Sequence, residues 1–202
     1  GEGGRWSANG QAASGELGAY GITFRGAQVD RARLDSRDGK WTFSIDQARA
    51  RSVAAEGVEL TAATASNVKG AIAKGQAQIT SDRATVEFIK TGKAGRNEVR
   101  DVTLRNVSAT YESIKGKGQW TFSSPVALAR SGVAGEIQFT DARASKLSGT
   151  LIDGRAQFTS DQASAKRLKA GQSEFNEVTA RDLNTAFVGS GASKGEWTFS
   201  IS

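Results

Sequence analysis

The chain contains no cysteine and no histidine, and only one proline, Pro125. Without cysteine it forms no disulfide and no thiolate metal site, so an oxidising compartment is permitted but not required. Without histidine it lacks the commonest general base and metal ligand. Tyrosine occurs twice and methionine not at all. No apolar run approaches the 18 or so residues of a membrane-spanning helix. The opening GEGGRWSANG lacks the charged and apolar regions of a signal peptide, so either such a segment was removed or the chain is a piece of a longer one. Leu, Ile, Val and Phe are spread thinly, and much of the apolar share is alanine, which argues for a thin layered core.

What is present in quantity is glycine, 24 residues, together with a net charge of +6 over 202 residues. Abundant glycine with one proline suits many strand-to-strand turns better than a disordered linker. The basic residues stand singly (Arg49, Arg51, Lys69, Lys74, Arg83, Lys90, Arg105). They read as a solvated basic surface, with attraction to anionic headgroups or nucleic acid as the alternative.

One phrase returns. GKWTFSIDQARAR at Gly39 reappears as GQWTFSSPVALAR at Gly118 and as GEWTFSIS at Gly195. Trp41 and Trp120 are 79 residues apart, and Thr80-Ser81-Asp82 returns at the same offset as Thr159-Ser160-Asp161. Asn97-Glu98-Val99 likewise returns as Asn176-Glu177-Val178. These offsets predict one elongated domain over 1–202, made of a partial repeat (1–38), two full repeats (39–117 and 118–195) and the start of another (196–202). The chain enters and leaves in mid-pattern, as a segment of a longer array would.

A finer period of about 20 residues runs inside each repeat, with turn signals near Gly39, Gly57, Gly75, Gly95, Gly118, Gly135, Gly154, Gly171 and Gly195. Between them apolar and polar residues alternate, which places every second side chain on one face of a β-strand. The apolar set is Trp41, Phe43, Ile45; Leu60; Ile79; Phe88; Leu104; Trp120, Phe122; Ile137, Phe139; Phe158; Trp197 and Phe199. Thr42, Ser44, Thr121, Gln138 and Gln157 then face water. The expected class is all-β, built of long, mainly antiparallel strands because the turns are short (AKGQ, SKGE); a β-solenoid is the alternative. Phe158 and Ala163 are five apart, an odd number, so alternation slips between them. A bulge or bend at the Ser-Asp step would restore one buried face, giving strands of about 12–16 residues bent in the middle.

The recurring phrase Gly-x-Ala-x-Ile-Thr-Ser-Asp-x-Ala-x-Val, seen at 75–86 and nearly so at 154–165, resembles the strand unit of β-taco envelope proteins. Two groups carry it: the periplasmic lipopolysaccharide-transport OstA-like family, and the AsmA-like group that includes TamB and YdbH. The resemblance implies a sheet bent into an open groove whose apolar interior carries lipid acyl chains across a bacterial envelope. It implies a periplasmic or envelope location, with the cell surface as the alternative. It also implies membrane association through flanking regions.

No catalytic residue, metal site or cofactor is expected. Asp82 with Glu87, or Asp161 with Glu174, are the carboxylate pairs on offer, but their spacing does not bring them together. Most aspartates (Asp38, Asp46, Asp153) read as turn or bend residues. GKAGRNEVR (92–100) lacks the ending of a phosphate loop. Nucleic-acid binding would want exposed aromatics interleaved with basic residues, and here they alternate with Ser and Thr. Three functions remain: a lipid-binding groove lined by the fourteen residues of the apolar set, a structural rod (surface-layer, adhesin or fibre segment) with a closed core, and a transmembrane barrel. The barrel ranks last, because aromatic girdles at strand ends are missing. Open sheet ends would pair with further repeats or with a partner's strand edge.

Overall fold

The computed structural model describes residues 6–55, 58–91, 97–114, 117–152, 155–188 and 196–200; of these, the side chains of 6–9, 19, 114, 187, 188, 196, 197 and 199 are not described. The described residues form eleven strands and no helix. In chain order these are β1 (Trp6–Ala19), β2 (Ile22–Arg37), β3 (Lys40–Ala55), β4 (Val58–Ala73), β5 (Gln76–Thr91), β6 (Asn97–Ile114), β7 (Lys117–Ala134), β8 (Ile137–Ile152), β9 (Arg155–Ala170), β10 (Ser173–Val188) and β11 (Glu196–Ser200). They lie side by side in sequence order in one sheet. Every neighbouring pair is antiparallel. The parallel solenoid is therefore not the arrangement adopted.

The turns explain the meander. Tyr20-Gly21, Asp38-Gly39 and Lys74-Gly75 each have positive φ at both residues, from 47° to 77°. That is the geometry of a two-residue turn whose twist matches the strands it joins. Gly135 and Gly171 instead lead their turns with φ near 60°. Gly118, where a turn was expected, is instead inside β7, opposite Ser113. The turn signals at Gly57, Gly95, Gly154 and Gly195 fall outside the described residues, as does Asp153. One strand and its turn make up the period of about 20 residues. Trp41 on β3 and Trp120 on β7 are thus four strands apart.

Each of the strands β2 to β10 bends twice, where a single bend was expected. On β4, β6, β8 and β10 two positive-φ residues sit five apart: Ala62 and Asn67, Asp101 and Asn106, Asp141 and Lys146, Glu177 and Asp182. On β2 the pair is Gly26 and Arg31. The unbroken registers align these positions across the sheet. One row runs Arg31, Asp46, Asn67, Asp82, Asn106, Pro125, Lys146, Asp161, Asp182. The other runs Gly26, Arg51, Ala62, Glu87, Asp101, Arg130, Asp141, Lys166, Glu177. Asn and Asp tolerate left-handed backbone better than other side chains, which accounts for much of this choice. Pro125 fits because the ladder is already interrupted there and no N–H is needed. The first row is the bend expected at the Ser-Asp step; the second carries no such recurring dipeptide.

Two bends divide the sheet into three panels and roll it into an open trough. Its solvent-accessible surface is 12742 Å², against about 9,000 Å² for a compact protein of 21.2 kDa. Ten strand-to-strand steps of about 4.8 Å give the trough a length of roughly 48 Å.

Candidate functional site

Alternation along a strand, pairing between strands and a slip at each bend assign every position to one face of the sheet. Tracing the registers across β1 to β10 places the inward positions in seven transverse rows. The first panel carries large side chains: Trp41, Ile72, Tyr111, Trp120 and Leu151 at the rim, then Leu34, Phe43, Ile79, Phe122 and Phe158, then Ile45, Val68, Val107, Leu147 and Leu183. The middle panel is built mostly of alanine, as in Ala48, Ala65, Ala84, Ala127, Ala144, Ala163 and Ala180. The third panel returns to large groups, including Phe24, Leu60, Ile89, Phe139, Leu168 and Phe175, with Ile137 at its rim. Among the described residues no Asp, Glu, Lys or Arg occupies an inward register position. Described ion pairs such as Arg31–Asp46, Arg130–Asp101, Lys146–Asp161 and Arg167–Glu174 belong to the outer face.

The expected lining residues Trp41, Phe43, Ile45, Leu60, Ile79, Leu104, Trp120, Phe122, Ile137, Phe139 and Phe158 therefore share one face. Trp197 and Phe199 pair through their backbones with Phe187 and Thr185, in register with that face; their side chains are outside the described residues. Phe88 is a correction. The second bend intervenes at Glu87, so Phe88 aligns with Thr61 and Arg100 on the outer face. There the cations Lys90 and Arg100 lie over its ring at 5.8 and 5.2 Å. Ile89, which the alternating reading passed over, takes the inward place between Leu60 and Val99.

The inner face is open. The buried apolar residues are Ala50, Val68, Ala77, Val102, Ala127 and Ala156. No described Trp, Phe, Leu or Ile is among them. In the middle panel Ala50, Val102 and Ala127 are buried and most of the other alanines are half-buried. Trp41 is 39% exposed, and Leu17 and Phe175, near the two ends, are each 51% exposed.

Two devices shape this face. Phenylalanines lie across glycines: a Cβ added to Gly70 would come within 2.3 Å of the Phe43 ring, and one added to Gly149 within 2.3 Å of Phe122. The missing side chain leaves room for the ring, and Phe158 then packs against Phe122 at 5.4 Å between centroids. The second device is a buried serine at the first bend. Ser124 Oγ lies 2.7 Å from the Arg105 carbonyl and 2.8 Å from that of Val126, and it accepts from the Arg105 N–H at 3.2 Å. Ser81 and Ser160 repeat the bridge to Ser66 and Ser145. Each hydroxyl satisfies backbone groups that the bend has pulled out of the ladder.

One contact among the described residues joins the two rims. The Trp120 Nε1–H donates to the Tyr20 carbonyl at 3.1 Å. The Tyr20 ring packs on Tyr111 at 4.7 Å, and Tyr111 on Trp120 at 5.3 Å. Tyr20 belongs to the β1–β2 turn, at the third-panel rim, whereas Tyr111 and Trp120 stand on the first-panel rim. Measured along the strands these rims are roughly 45 Å apart, so the contact requires the sheet to roll most of the way round. The hydrogen bond contributes about 1 kcal/mol and each ring pair about 0.5–1.5 kcal/mol.

The carboxylates weighed for catalysis are not brought together. Asp82 accepts from Asn67 at 2.8 Å, Asp161 from Lys146 at 2.5 Å, and Glu174 pairs with Arg167. Among the described residues there is no cluster of three acidic side chains able to hold a metal ion. The Lys146 pKa is raised by its hydrogen bond to, and the charge of, Asp161. What this arrangement offers chemically is a long, uncharged apolar surface in contact with solvent. Comparison with family models, with curated proteins and with solved structures finds no match for this chain.

Proposed function

We propose that the chain is a non-catalytic lipid-binding segment that carries acyl chains along its inner face. The observation that supports this reading is the open trough itself, in which an uncharged wall of Trp, Phe, Leu and Ile stays in contact with solvent along the molecule. Contiguous apolar patches beyond a few hundred Å² are rare on monomeric proteins and mark surfaces that something covers. An acyl chain suits the shape. It needs length without directional contacts, it gains about 0.8 kcal/mol per buried methylene, and an alanine floor between bulkier walls leaves it room. The bacterial periplasm or envelope is the proposed setting, and the backbone edges of the sheet are the proposed joints to further β-repeats or partner strands.

The test is lipid extracted from the purified protein and identified by mass spectrometry. Bound lipid that is lost in Phe122→Asp and Phe158→Asp supports the reading. A lipid-free protein that also fails to bind added fatty acid would overturn it and favour a structural rod.

A further inference from the structure

We infer that Tyr20 is a strap across the mouth of the trough, which divides it into two bays and slows the passage of an acyl chain from one to the other. The inference rests on the lipid-binding reading above and adds to it a point of control.

Several observations carry it. Among the described strands, extended contacts run only between neighbours in the sheet, so a link between the two rims comes from outside the strand ladder. At Tyr20 it is made by a ring pair and a hydrogen bond to residues 91 and 100 positions further on. The strap also works against local preference. Tyr20 has φ 52° in the first position of a turn that favours Asn, Asp or Gly. The equivalent turns carry Asp38 and Lys74 there, polar side chains that are exposed. A tyrosine held in left-handed backbone at a turn tip is compensated by its docking on Tyr111. Finally, Tyr111 and Trp120 lie in the rim row of the inner wall, beside Ala77 and Leu151. The strap thus closes directly over the lining that an acyl chain would follow. The described contacts that hold it shut are one hydrogen bond and one ring pair, so it can open without unfolding the sheet.

The sequence supplies a direct test, because Tyr20 and Tyr111 are the only two tyrosines in the chain. Photo-oxidative coupling with persulfate as the oxidant joins two touching tyrosine rings, which here would lock the strap with no substitution. The expected products are an intramolecular dityrosine cross-link, seen by its fluorescence and by the loss of two hydrogens in mass. Its absence would overturn the strap. The fluorescent fatty acid cis-parinaric acid then reports exchange. Locking is expected to slow its release about fivefold or more, and Tyr20→Ser, which removes the ring but keeps the backbone carbonyl, to speed it about as much, the scale set by one ring pair. The amount bound at equilibrium changes little in either case. Binding with the same release rate in locked, native and Tyr20→Ser protein overturns the strap and leaves lipid binding standing. Absence of binding in all three forms overturns the lipid reading and the strap with it.

Discussion

Phe122 lies across Gly149 on the neighbouring strand, where a Cβ would come within 2.3 Å of the ring and 2.9 Å of the Gln157 carbonyl. Phe43 and Gly70 form the same pair 79 positions earlier, on β3 and β4. Bulk on one strand is matched by its absence on the next. The wall stays smooth, and one ring lies partly under the reach of its neighbour.

That relationship makes a specific stability prediction. Gly149→Ala forces the Phe122 ring out of its place and should cost about 1–3 kcal/mol, the usual scale of overpacking. Urea unfolding measures it. Combining Gly149→Ala with Phe122→Leu removes the clash, so the double variant should be less destabilised than the sum of the two singles. Additive costs would mean that the ring does not use the space the glycine leaves.

Ser124, 1% exposed, is the most deeply buried of the bend serines. Ser124→Ala removes the one group that serves the Arg105 and Val126 carbonyls and the Arg105 N–H at a point where the ladder is broken. The expected loss is about 1–3 kcal/mol, the cost of leaving buried polar groups unmatched. Exposed Thr64 and half-buried Thr85, whose hydroxyls share a 2.6 Å hydrogen bond on the outer face, serve as the control. Thr64→Ala should change the urea midpoint far less, because water can replace the lost partner.

Stability should be flat with pH across the neutral range. The chain has no histidine or cysteine to titrate there. Among the described residues, Lys146 has its pKa raised above 10.5, chiefly by its hydrogen bond to Asp161. A lysine whose folded pKa is raised contributes its full stabilisation below the unfolded pKa and loses it as pH rises through the folded value. The Lys146–Asp161 pair should therefore matter equally at pH 6 and pH 9 and fade only above 10.5. Because the group is fully exposed, its contribution is small and screened by salt. Urea midpoints of native protein and Lys146→Met, followed with pH, check this; a difference that vanished between pH 6 and 9 would contradict it.

The parts of this structure legible in the sequence are those set by short-range pattern. Alternation in WTFSI and AQITS fixes strand and facing locally, because both follow from adjacent residues. The first bend was legible because Ser-Asp at 81–82 and 160–161 coincides with an odd spacing of apolar residues. The second bend carries no such dipeptide. Glu87, Lys166 and Arg130 occupy it on the odd strands, and Ala62, Asp101 and Asp141 on the even ones, with nothing in common but exposure. Phe88 therefore reads as continued alternation, although Ile89 takes the inward place. The rim contact was invisible for a different reason: Tyr20 meets Tyr111 only through the accumulated roll of the whole sheet, which no window of sequence encodes.

The assignment of faces is itself open to experiment, and Phe88 decides it. If every second residue of β5 kept one face, Phe88 and Phe122 would line the same trough and their replacement by Asp would be equally damaging to binding of cis-parinaric acid. The registers give another result. Phe88 stands beside Thr61 and Arg100 on the outer face with Lys90 over its ring, where an aspartate meets two cations and water. Phe88→Asp should leave fatty-acid binding within about twofold of native and cost at most about 1 kcal/mol, the worth of an exposed cation–π contact. Ile89→Asp, one residue on, places a charge between Leu60 and Val99 on the uncharged face, and should abolish binding as Phe122→Asp does. Two adjacent residues with opposite outcomes would fix the second bend at Glu87, since only a slip in alternation puts Ile89 inside and Phe88 out.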